Sequence, residues 1–286
     1  MAYSVSKIAF MSFFLGSSGF AQTLEELWVV DGFNLPESAF YDAATNRIYV
    51  SEIGVFGPGG GMDGAISILS VDGELVQSGW VTGLMDPKGM ASMDGSLWVA
   101  DAMGVHEIGL ASGHRKATIP LDGAMFPNDV AASRDGAILV TDMFGGAIYR
   151  VADGIAEAWL PMGSLSLPNG IWVDDSGIVV GTFGVDMQLD FSVAEAGTLY
   201  SISDAGEIAV IEGSEKVGSI DGVVRVGDLL VFDDNPTGRI LAWQDGMVSL
   251  LMQSEPGTAD LGVMDNTILV PNLNNGSVTA YTFSDN

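Results

Sequence analysis

The segment Phe126–Asp142, F-P-N-D-V-A-A-S-R-D-G-A-I-L-V-T-D, contains the pattern that decides the fold. A proline and a polar residue, Asn128, precede a short apolar run, and a Ser-Arg-Asp-Gly turn leads into a second apolar run. Two β-prone runs joined by a turn that contains glycine are typical of an antiparallel hairpin. A second copy begins at L-P-N-G with Asn169, and further copies occur along the chain.

Six polar residues begin the repeated units, and most of them follow a proline. These ring positions are Glu37, Lys88, Asn128, Asn169, Asp221 and Asp260. The spacings between them are 51, 40, 41, 52 and 39 residues. A period of roughly 40–50 residues with several strands per unit is typical of a β-propeller with four-stranded blades. The sequence therefore predicts an all-β, six-bladed propeller with antiparallel blades, in which the ring positions meet around one axis.

Two irregularities at the chain ends predict how the ring closes. The β-prone segment Leu24–Val30 precedes the first full unit, and the sixth unit lacks one strand. A sheet that ends on an unpaired strand exposes its backbone hydrogen-bonding groups. We therefore expect the N-terminal strand to complete the last blade, so that residues 22–286 form a single propeller domain.

Residues 1–21 have the features of a secretory signal peptide. Lys7 precedes the apolar run I-A-F-M-S-F-F-L-G, and small residues lead to a cleavage site after Ala21. The apolar run is too short to span a bilayer. We therefore expect a mature protein that is periplasmic or secreted.

Composition limits the classes of partner. The net charge is −27, with 10 Lys and Arg against 37 Asp and Glu. Such a surface repels nucleic acids and anionic membranes, and solubility in a salty habitat is the simpler explanation of the acidity. The chain has no cysteine, which excludes thiolate chemistry and disulfides. The expected partner is a small-molecule substrate, and the sequence does not indicate the oligomeric state.

Two insertions interrupt the regular spacing. Gly57–Asp63 and Phe183–Gly197 lengthen equivalent connections, each after the second strand of its unit. Successive antiparallel strands alternate in direction, so these connections lie on the same face as the ring positions. Long loops in compact folds are often functional. We expect the two insertions to form a rim or partial lid over the ring.

The ring positions offer oxygen ligands. Polar groups crowded into a channel are costly unless they are satisfied. Glu37, Asn128, Asn169 and Asp221 together form a set suited to one divalent cation, with Ca²⁺ preferred over Zn²⁺ because the set contains no His or Cys. The alternative is that these residues only cap strands and bind turn amides.

A second polar series ends the β-prone runs about 13 residues after the ring positions. It comprises Glu52, Asp101, Asp142, Thr182, Asp234 and Asn272. For the three aspartates we favour turn closure over metal binding, because glycine-bearing turns follow them.

Lys88 leaves two interpretations open. It could bridge Asp260 or Glu37 and satisfy the ring without a metal ion, or it could face a substrate as a donor to an anion or oxyanion.

Four motifs carry a resemblance to a known family. They are P-E-S-A-F-Y-D at Pro36–Asp42, F-P-N-D-V at Phe126–Val130, L-P-N-G-I-W-V-D at Leu167–Asp174 and I-D-G-V at Ile220–Val223. With the six-unit layout, the chain resembles the senescence marker protein/gluconolactonase (regucalcin-type) family. More broadly it is similar to the calcium-dependent propeller hydrolases that include paraoxonase and diisopropyl fluorophosphatase.

The resemblance implies a lactonase, esterase or organophosphate hydrolase with one bound divalent cation. Glu37, Asn169 and Asp221 match its cation ligands, and Asn128 matches an Asn that contacts substrate or metal. The cation would polarise a lactone carbonyl and bind the attacking water. Asp221 is the candidate general base, because one carboxylate can touch both metal and water. The resemblance does not explain the ring positions Lys88 and Asp260, which together with Asn128 are the candidate substrate contacts.

Some residues depart from the family pattern. Phe126 stands where gluconolactonase-type members carry Arg, which favours a more apolar substrate. Paraoxonase-like members use a His pair, but His106 and His114 lie away from the ring positions and are expected to be structural. No G-x-S-x-G motif supports a serine nucleophile. The alternative function is a non-catalytic extracytoplasmic propeller that binds a small ligand or a protein partner through the same face.

Overall fold

The computed structural model describes residues 23–56 and 60–284, and the predicted signal peptide lies outside this part of the chain. The described residues form strands and no helix, so they contain no helix that could cross a membrane. Six four-stranded antiparallel sheets are arranged as the blades of a propeller, as the spacing of the ring positions predicts.

The strand bounds follow the repeated units closely. The N-terminal strand is β1 (Thr23–Asp31). Blade 1 contains β2 (Pro36–Asp42), β3 (Arg47–Glu52), β4 (Gly64–Leu69) and β5 (Leu75–Leu84). Blade 2 contains β6 (Met90–Met93), β7 (Ser96–Asp101), β8 (Gly104–Gly109) and β9 (Arg115–Ile119). Blade 3 contains β10 (Pro127–Ala132), β11 (Ile138–Asp142), β12 (Ala147–Ala152) and β13 (Ile155–Leu160).

Blade 4 contains the second insertion. Its strands are β14 (Pro168–Asp174), β15 (Gly177–Thr182), β18 (Leu199–Ile202) and β19 (Ile208–Val210). A separate small hairpin, β16 (Gly184–Val185) and β17 (Glu195–Ala196), lies between β15 and β18. Blade 5 contains β20 (Val223–Val226), β21 (Leu229–Asp234), β22 (Arg239–Gln244) and β23 (Met247–Gln253). Blade 6 contains β24 (Gly262–Met264), β25 (Thr267–Asn272) and β26 (Ser277–Ser284).

The ring closes as predicted, because the N-terminal strand supplies the fourth strand of blade 6. β1 pairs antiparallel with β26, from Thr23 opposite Ser284 to Asp31 opposite Ser277. The Trp28 Nε1–H group also donates to the Val71 carbonyl of blade 1 over 3.0 Å. Pairing covers the edge of β26 and removes a site at which another chain could add a strand.

The hydrophobic core lies between neighbouring blades. Between blades 2 and 3, Val105 and Trp98 pack in one cluster with Val140 and Tyr149. Each of these side chains is at least nine-tenths buried. Full burial of such a side chain stabilises the fold by roughly 1.5–3 kcal/mol. Packing of this kind at each blade boundary holds the first strands around a common channel.

Strand direction places the ring positions at one end of the channel. Each first strand runs away from this end, and the second strand returns to it. The connections after the second and fourth strands therefore lie on the same face, here called the site face.

Candidate functional site

Bulges place three ring residues at the start of their strands. The pairing of the first two strands in blades 1, 3 and 4 shifts register directly after the initial proline. The residues at these shifts are Glu37, Asn128 and Asn169. A bulge turns a side chain away from its regular direction and is common beside functional sites. The proline that begins each strand is thus the local sequence signal for a ring residue.

The backbone leading to the ring is held in an unusual conformation. Leu35, Asp86 and Leu167 have φ angles of 53°, 53° and 47°. Each of them directly precedes the proline that comes before a ring residue. A positive φ costs a residue other than glycine roughly 1–3 kcal/mol and persists only where the surrounding structure imposes it. The same strained approach therefore recurs at three of the six blades.

Five of the six predicted ring residues line one cavity on the site face, here called the site cavity, with a volume of about 680 Å³. They are Glu37, Lys88, Asn128, Asn169 and Asp221. Each side chain is at least 94% buried. Residues far apart in sequence thus share a desolvated space, as the ring hypothesis predicts.

Three oxygen atoms in this cavity have no hydrogen-bond partner among the described residues. They are Glu37 Oε2, Asn128 Oδ1 and Asn169 Oδ1, and they belong to a set of seven such buried side-chain atoms in the described chain. An unsatisfied buried acceptor costs roughly 1–3 kcal/mol. Three residues that line one cavity thus each carry an unpartnered acceptor, and together these acceptors form a ligand set that a hard cation would satisfy.

Asp221 is the fourth oxygen ligand of this candidate set, and a local network fixes its position. Asn235 Nδ2–H donates to Asp221 Oδ2 over 2.7 Å and also to the Thr258 carbonyl over 2.6 Å. Beneath it, Asp233 Oδ1 accepts the backbone N–H groups of Asp221 at 3.0 Å and Gly222 at 2.8 Å. These contacts hold both the carboxylate and its backbone in place.

The two carboxylates of the site are electrostatically unfavourable in the absence of a cation. Burial raises the pKa of Asp221 to about 6, although hydrogen bonds from the side chains of Asn235 and Asn169 lower it. Burial also raises the pKa of Glu37 well above its ordinary value, and the neighbouring Asp221 charge raises it further. A cation between these groups would favour their charged forms.

The candidate ligand set contains two carboxylates, and its other oxygens come from amides. No group of three or more His, Cys, Asp or Glu side chains is placed to hold a metal ion within residues 23–56 and 60–284. A cation here would thus depend on Asn128 and Asn169 as well as on Glu37 and Asp221. Ca²⁺ accepts such mixed sets of carboxylate and amide oxygens.

Lys88 does not bridge the ring. Its Nζ donates to the Asp86 carbonyl over 2.7 Å and lies 4.5 Å from the centroid of the Phe126 ring. It forms no ion pair with Glu37, Asp260 or any other carboxylate of the described chain. Burial lowers the pKa of Lys88, and the charge of Glu37 opposes this change. The structure therefore does not show Lys88 neutralising the carboxylates of the ring residues.

Asp260 lies one residue beyond the ring position predicted for it. The Asp260 N–H group donates to the Glu37 carbonyl, as the Gly89 N–H group donates to the Asn128 carbonyl. Asp260 is thus equivalent to Gly89, and the buried Ala259 is equivalent to Lys88. A shift of one residue turns a strand side chain to the other side. Asp260 accordingly does not line the site cavity.

A second cavity of about 270 Å³ runs between the first strands of the six blades, below the ring. Asp129 and Asp260 line it, and Ser38 Oγ–H donates to Asp260 Oδ2 over 2.7 Å. Burial raises the pKa of Asp129 to about 7. Burial also raises the pKa of Asp260 well above its ordinary value, as does the neighbouring Asp129 charge.

The three aspartates of the second polar series bind backbone N–H groups, as the turn-closing interpretation requires. Most of these groups, however, lie in the connection before the first strand and not in the glycine-bearing turn that follows. Asp101 accepts the Met85 and Met103 N–H groups, and Asp142 accepts those of Met125 and Phe126. Asp234 follows the same pattern, accepting the Ser219 N–H over 2.7 Å and pairing with Arg239.

The structure also places both histidines outside the site cavity. His106 is buried in blade 2, where Nε2 lies 2.6 Å from Asp101 Oδ2 and Nδ1 lies 2.9 Å from Thr118 Oγ1. The backbone N–H of His114 donates to Ser112 Oγ over 3.2 Å in the turn between β8 and β9. Their expected structural roles are consistent with these positions.

The second insertion reaches the site cavity, as expected. The second insertion contributes residues 190–193 to its lining. No described residue of the first insertion lines the cavity, but Phe56, which directly precedes this insertion, does. The rings of Phe56 and Phe191 lie with centroids 6.4 Å apart, so the second insertion approaches the residue at which the first begins.

An aromatic cluster forms the wall beside Lys88. Phe126 stacks on Phe144 at 4.5 Å and meets Phe56 edge to face at 6.5 Å. Ile53 and Phe183 also line the cavity. Apolar walls with a few converging polar groups are typical of small-molecule sites.

Exposed large apolar side chains are concentrated around this opening. Those in connections of the site face are Val55, Phe56, Met62, Met103, Met125, Phe144, Met162, Val185, Leu189 and Phe191. The remaining ones lie on outermost strands, and the described turns of the opposite face contain none. The two faces of the propeller therefore differ in polarity.

Sequence patterns did not identify several residues of the site. Asn235, which orients Asp221, belongs to F-D-D-N-P, and its run of three polar residues after an apolar strand was the available signal. Asp233, in the same run, was likewise missed. Of the aromatic wall, the sequence singled out Phe126 only, because Phe56 and Phe144 lie in other connections and follow no pattern.

No protein-family model and no curated protein matches the sequence. Solved structures with the same fold include a putative gluconolactonase and a gluconolactonase. The putative gluconolactonase is 18% identical, with a TM-score of 0.68 over 92% of this chain and 93% of that chain. The other, a gluconolactonase from Xanthomonas campestris, is 16% identical, with a TM-score of 0.68 over 93% and 96%.

A third similar structure is a catalytically inactive histidine-to-alanine variant of virginiamycin B lyase from Staphylococcus aureus, solved with quinupristin. It is 14% identical, with a TM-score of 0.60 over 91% of this chain and 99% of that chain. The chain thus has the six-bladed propeller fold of gluconolactonase-type proteins. At these sequence identities, the similarity to solved structures establishes the fold and not the activity.

Proposed function

We propose that the protein is a divalent-cation-dependent hydrolase of a lactone or related ester, acting in the periplasm or outside the cell. The main support is that Glu37, Asn128 and Asn169 each have a buried oxygen without a hydrogen-bond partner among the described residues. These three residues line the same cavity as Asp221. Together these four residues would hold one cation, with Ca²⁺ the best match to an all-oxygen set. When bound, the cation would polarise the substrate carbonyl and acidify a water molecule.

Asp221 is the proposed general base. Because Asn235 occupies Oδ2, the other oxygen, Oδ1, is the atom assigned to take a proton from the attacking water. As the water oxygen bonds to the carbonyl carbon and the ester C–O bond breaks, that proton passes to the departing alkoxide. The products are a carboxylic acid and an alcohol, which remain one molecule if the substrate is a lactone.

The substrate proposed for this cavity has an apolar body. Phe126 replaces the Arg expected in gluconolactonase-type members and packs in the aromatic wall with Phe56 and Phe144. A polar sugar lactone would leave its hydroxyl groups against this wall without partners. An aryl or alkyl ester or lactone would instead bury apolar area there.

The similarity to virginiamycin B lyase makes a lyase the second reaction class to consider. The inactive lyase variant lacks a histidine. In this chain neither histidine lines the site cavity, and His106 is already engaged by Asp101 and Thr118. The oxygen set therefore favours hydrolysis over a histidine-dependent elimination.

A substrate panel tests the proposal. Aryl esters, aliphatic lactones and phosphotriesters would be offered to the wild type, to chelator-treated protein and to chelator-treated protein with CaCl₂ restored. We expect turnover that disappears on chelation and returns with Ca²⁺. Asp221→Asn should lower kcat by about 10²–10⁴-fold, the usual contribution of a general base. Undiminished activity in Asp221→Asn would contradict its role, and Ca²⁺-dependent ligand binding without any turnover would support a non-catalytic propeller instead.

A further inference from the structure

Lys88 is a buried ammonium group whose hydrogen-bonding capacity is mostly unused. The residue is 3% exposed and lines the site cavity. An ammonium group has three N–H donors. Among the described residues, the Asp86 carbonyl is its only hydrogen-bond acceptor, and the face of Phe126 covers another side. The remaining donor capacity is available to whatever occupies the cavity.

Charge balance in the proposed loaded site shows what kind of group is missing. The carboxylates of Glu37 and Asp221 would balance one divalent cation. Of the other acidic residues that line the cavity, Asp234 is paired with Arg239, and Asp190 lies on the exposed loop. The nearby Asp86 charge favours the charged form of Lys88, but no carboxylate of the described chain forms an ion pair with the ammonium. Lys88 therefore lacks a directly bonded anion in this desolvated space. A buried charge is costly unless it is paired.

We propose that Lys88 is a specificity-determining residue that binds a carboxylate group of the substrate. This inference rests on the proposed function and narrows its substrate class to esters or lactones that carry both a carboxylate and an apolar body. The carboxylate would accept hydrogen bonds from Lys88 Nζ while the apolar body packs against the ring of Phe126 and its aromatic neighbours. The Asp86 carbonyl and the Phe126 ring hold Nζ in position for this contact.

A matched pair of ligands tests the proposal without requiring turnover. Phenylacetate and phenylacetamide have nearly the same shape and differ in charge. Their affinities for Ca²⁺-loaded protein would be measured by isothermal titration calorimetry. A charge-assisted hydrogen bond contributes roughly 1.5–3 kcal/mol, so we expect phenylacetate to bind about 10- to 100-fold more tightly. Equal affinities in the wild type would overturn the proposal.

Two variants separate Lys88 from other sources of anion affinity. Lys88→Met keeps an apolar side chain of similar length and should abolish the preference for phenylacetate. Lys116→Met, which removes a surface lysine paired with Glu107, is the matched control and should keep it. If Lys88→Met retains the preference, the cation and not Lys88 binds the carboxylate, and the proposal is wrong. If Lys88→Met does not fold, Lys88→Gln serves the same comparison with a polar replacement.

A kinetic comparison distinguishes this proposal from a role in transition-state stabilisation. With 4-acetoxybenzoate and its neutral methyl ester as substrates, Lys88→Met should raise KM about 10- to 100-fold for the anionic ester only. An equal fall in kcat for both esters would assign Lys88 to the oxyanion and overturn the proposal. If the wild type hydrolyses neither ester, the hydrolase proposal fails for this class, while the calorimetric comparison still decides the role of Lys88.

Discussion

Replacing Asp221 by Asn should stabilise the metal-free protein, and Ca²⁺, which stabilises the wild type, should remove most of this difference. In the metal-free protein, burial raises the pKa of this carboxyl group from 3.8 to about 6. A shift of one pKa unit corresponds to about 1.36 kcal/mol. At a pH at which the group is charged in both the folded and the unfolded state, the raised pKa therefore lowers the free energy of unfolding by about 3 kcal/mol. Asn has nearly the same shape, can still accept the Asn235 hydrogen bond and carries no charge.

The pH dependence of this effect follows from the raised pKa. The folded state binds the Asp221 proton more tightly than the unfolded state does. The stability that protonation contributes is fully present below pH 3.8 and is lost as pH rises through about 6. Metal-free Asp221→Asn should therefore be more stable than metal-free wild type at pH 8, and the difference should shrink towards pH 4.

Thermal and urea unfolding at pH 4 and pH 8 provide the assay. A difference of about 3 kcal/mol corresponds to roughly 6–12 °C in Tm for a domain of this size. Adding CaCl₂ at 100 times its Kd should stabilise the wild type by about 2.7 kcal/mol and the variant far less. Asp234→Asn is the control, because it breaks the pair with Arg239 and should destabilise the protein. If metal-free Asp221→Asn were less stable than the wild type at pH 8, the view of the site as an electrostatically strained oxygen set would be refuted.

Three further predictions follow from named contacts. Asn169→Leu removes one of the unpartnered acceptor oxygens and should abolish the Ca²⁺-induced rise in Tm; a retained Ca²⁺ effect would exclude Asn169 as a ligand. Deleting Thr23–Asp31 should expose the edge of β26, lower Tm and produce oligomers in size-exclusion chromatography, and an unchanged monomer would argue against closure by β1. His106→Gln should cost roughly 1–3 kcal/mol of stability in urea unfolding, through loss of its contacts with Asp101 and Thr118, and should leave ester hydrolysis unchanged; a selective loss of kcat would instead place a histidine in the chemistry.

The repeat of polar residues after proline was sufficient to predict the fold. The prolines begin strands and the residues after them lie in bulges, so a local signal marks the same place in several blades. Closure by the N-terminal strand could also be predicted, because a missing strand at one end matched an extra strand at the other. The roles of the aspartates in the second polar series were only partly predictable, because Asp142 and Asp234 accept N–H groups 15–17 residues earlier in the chain.

Features that depend on contacts between blades could not be predicted in the same way. The A-D-L segment has no proline to mark its register, and a one-residue shift moved Asp260 from the site cavity to the channel below. Whether Lys88 paired with Glu37 or faced the cavity depended on side-chain direction. The aromatic wall is formed by residues from three connections, and only the fold brings them together.

The central claim is that the ring residues form a cation site. Calorimetric titration of chelator-treated protein with CaCl₂ tests this claim most directly. We expect one Ca²⁺ ion to bind per chain in the wild type and binding to be lost in Glu37→Gln, which keeps the shape of the side chain and removes its charge. Absence of binding in the wild type, or unchanged binding in Glu37→Gln, would contradict the assignment of these buried oxygens to a cation.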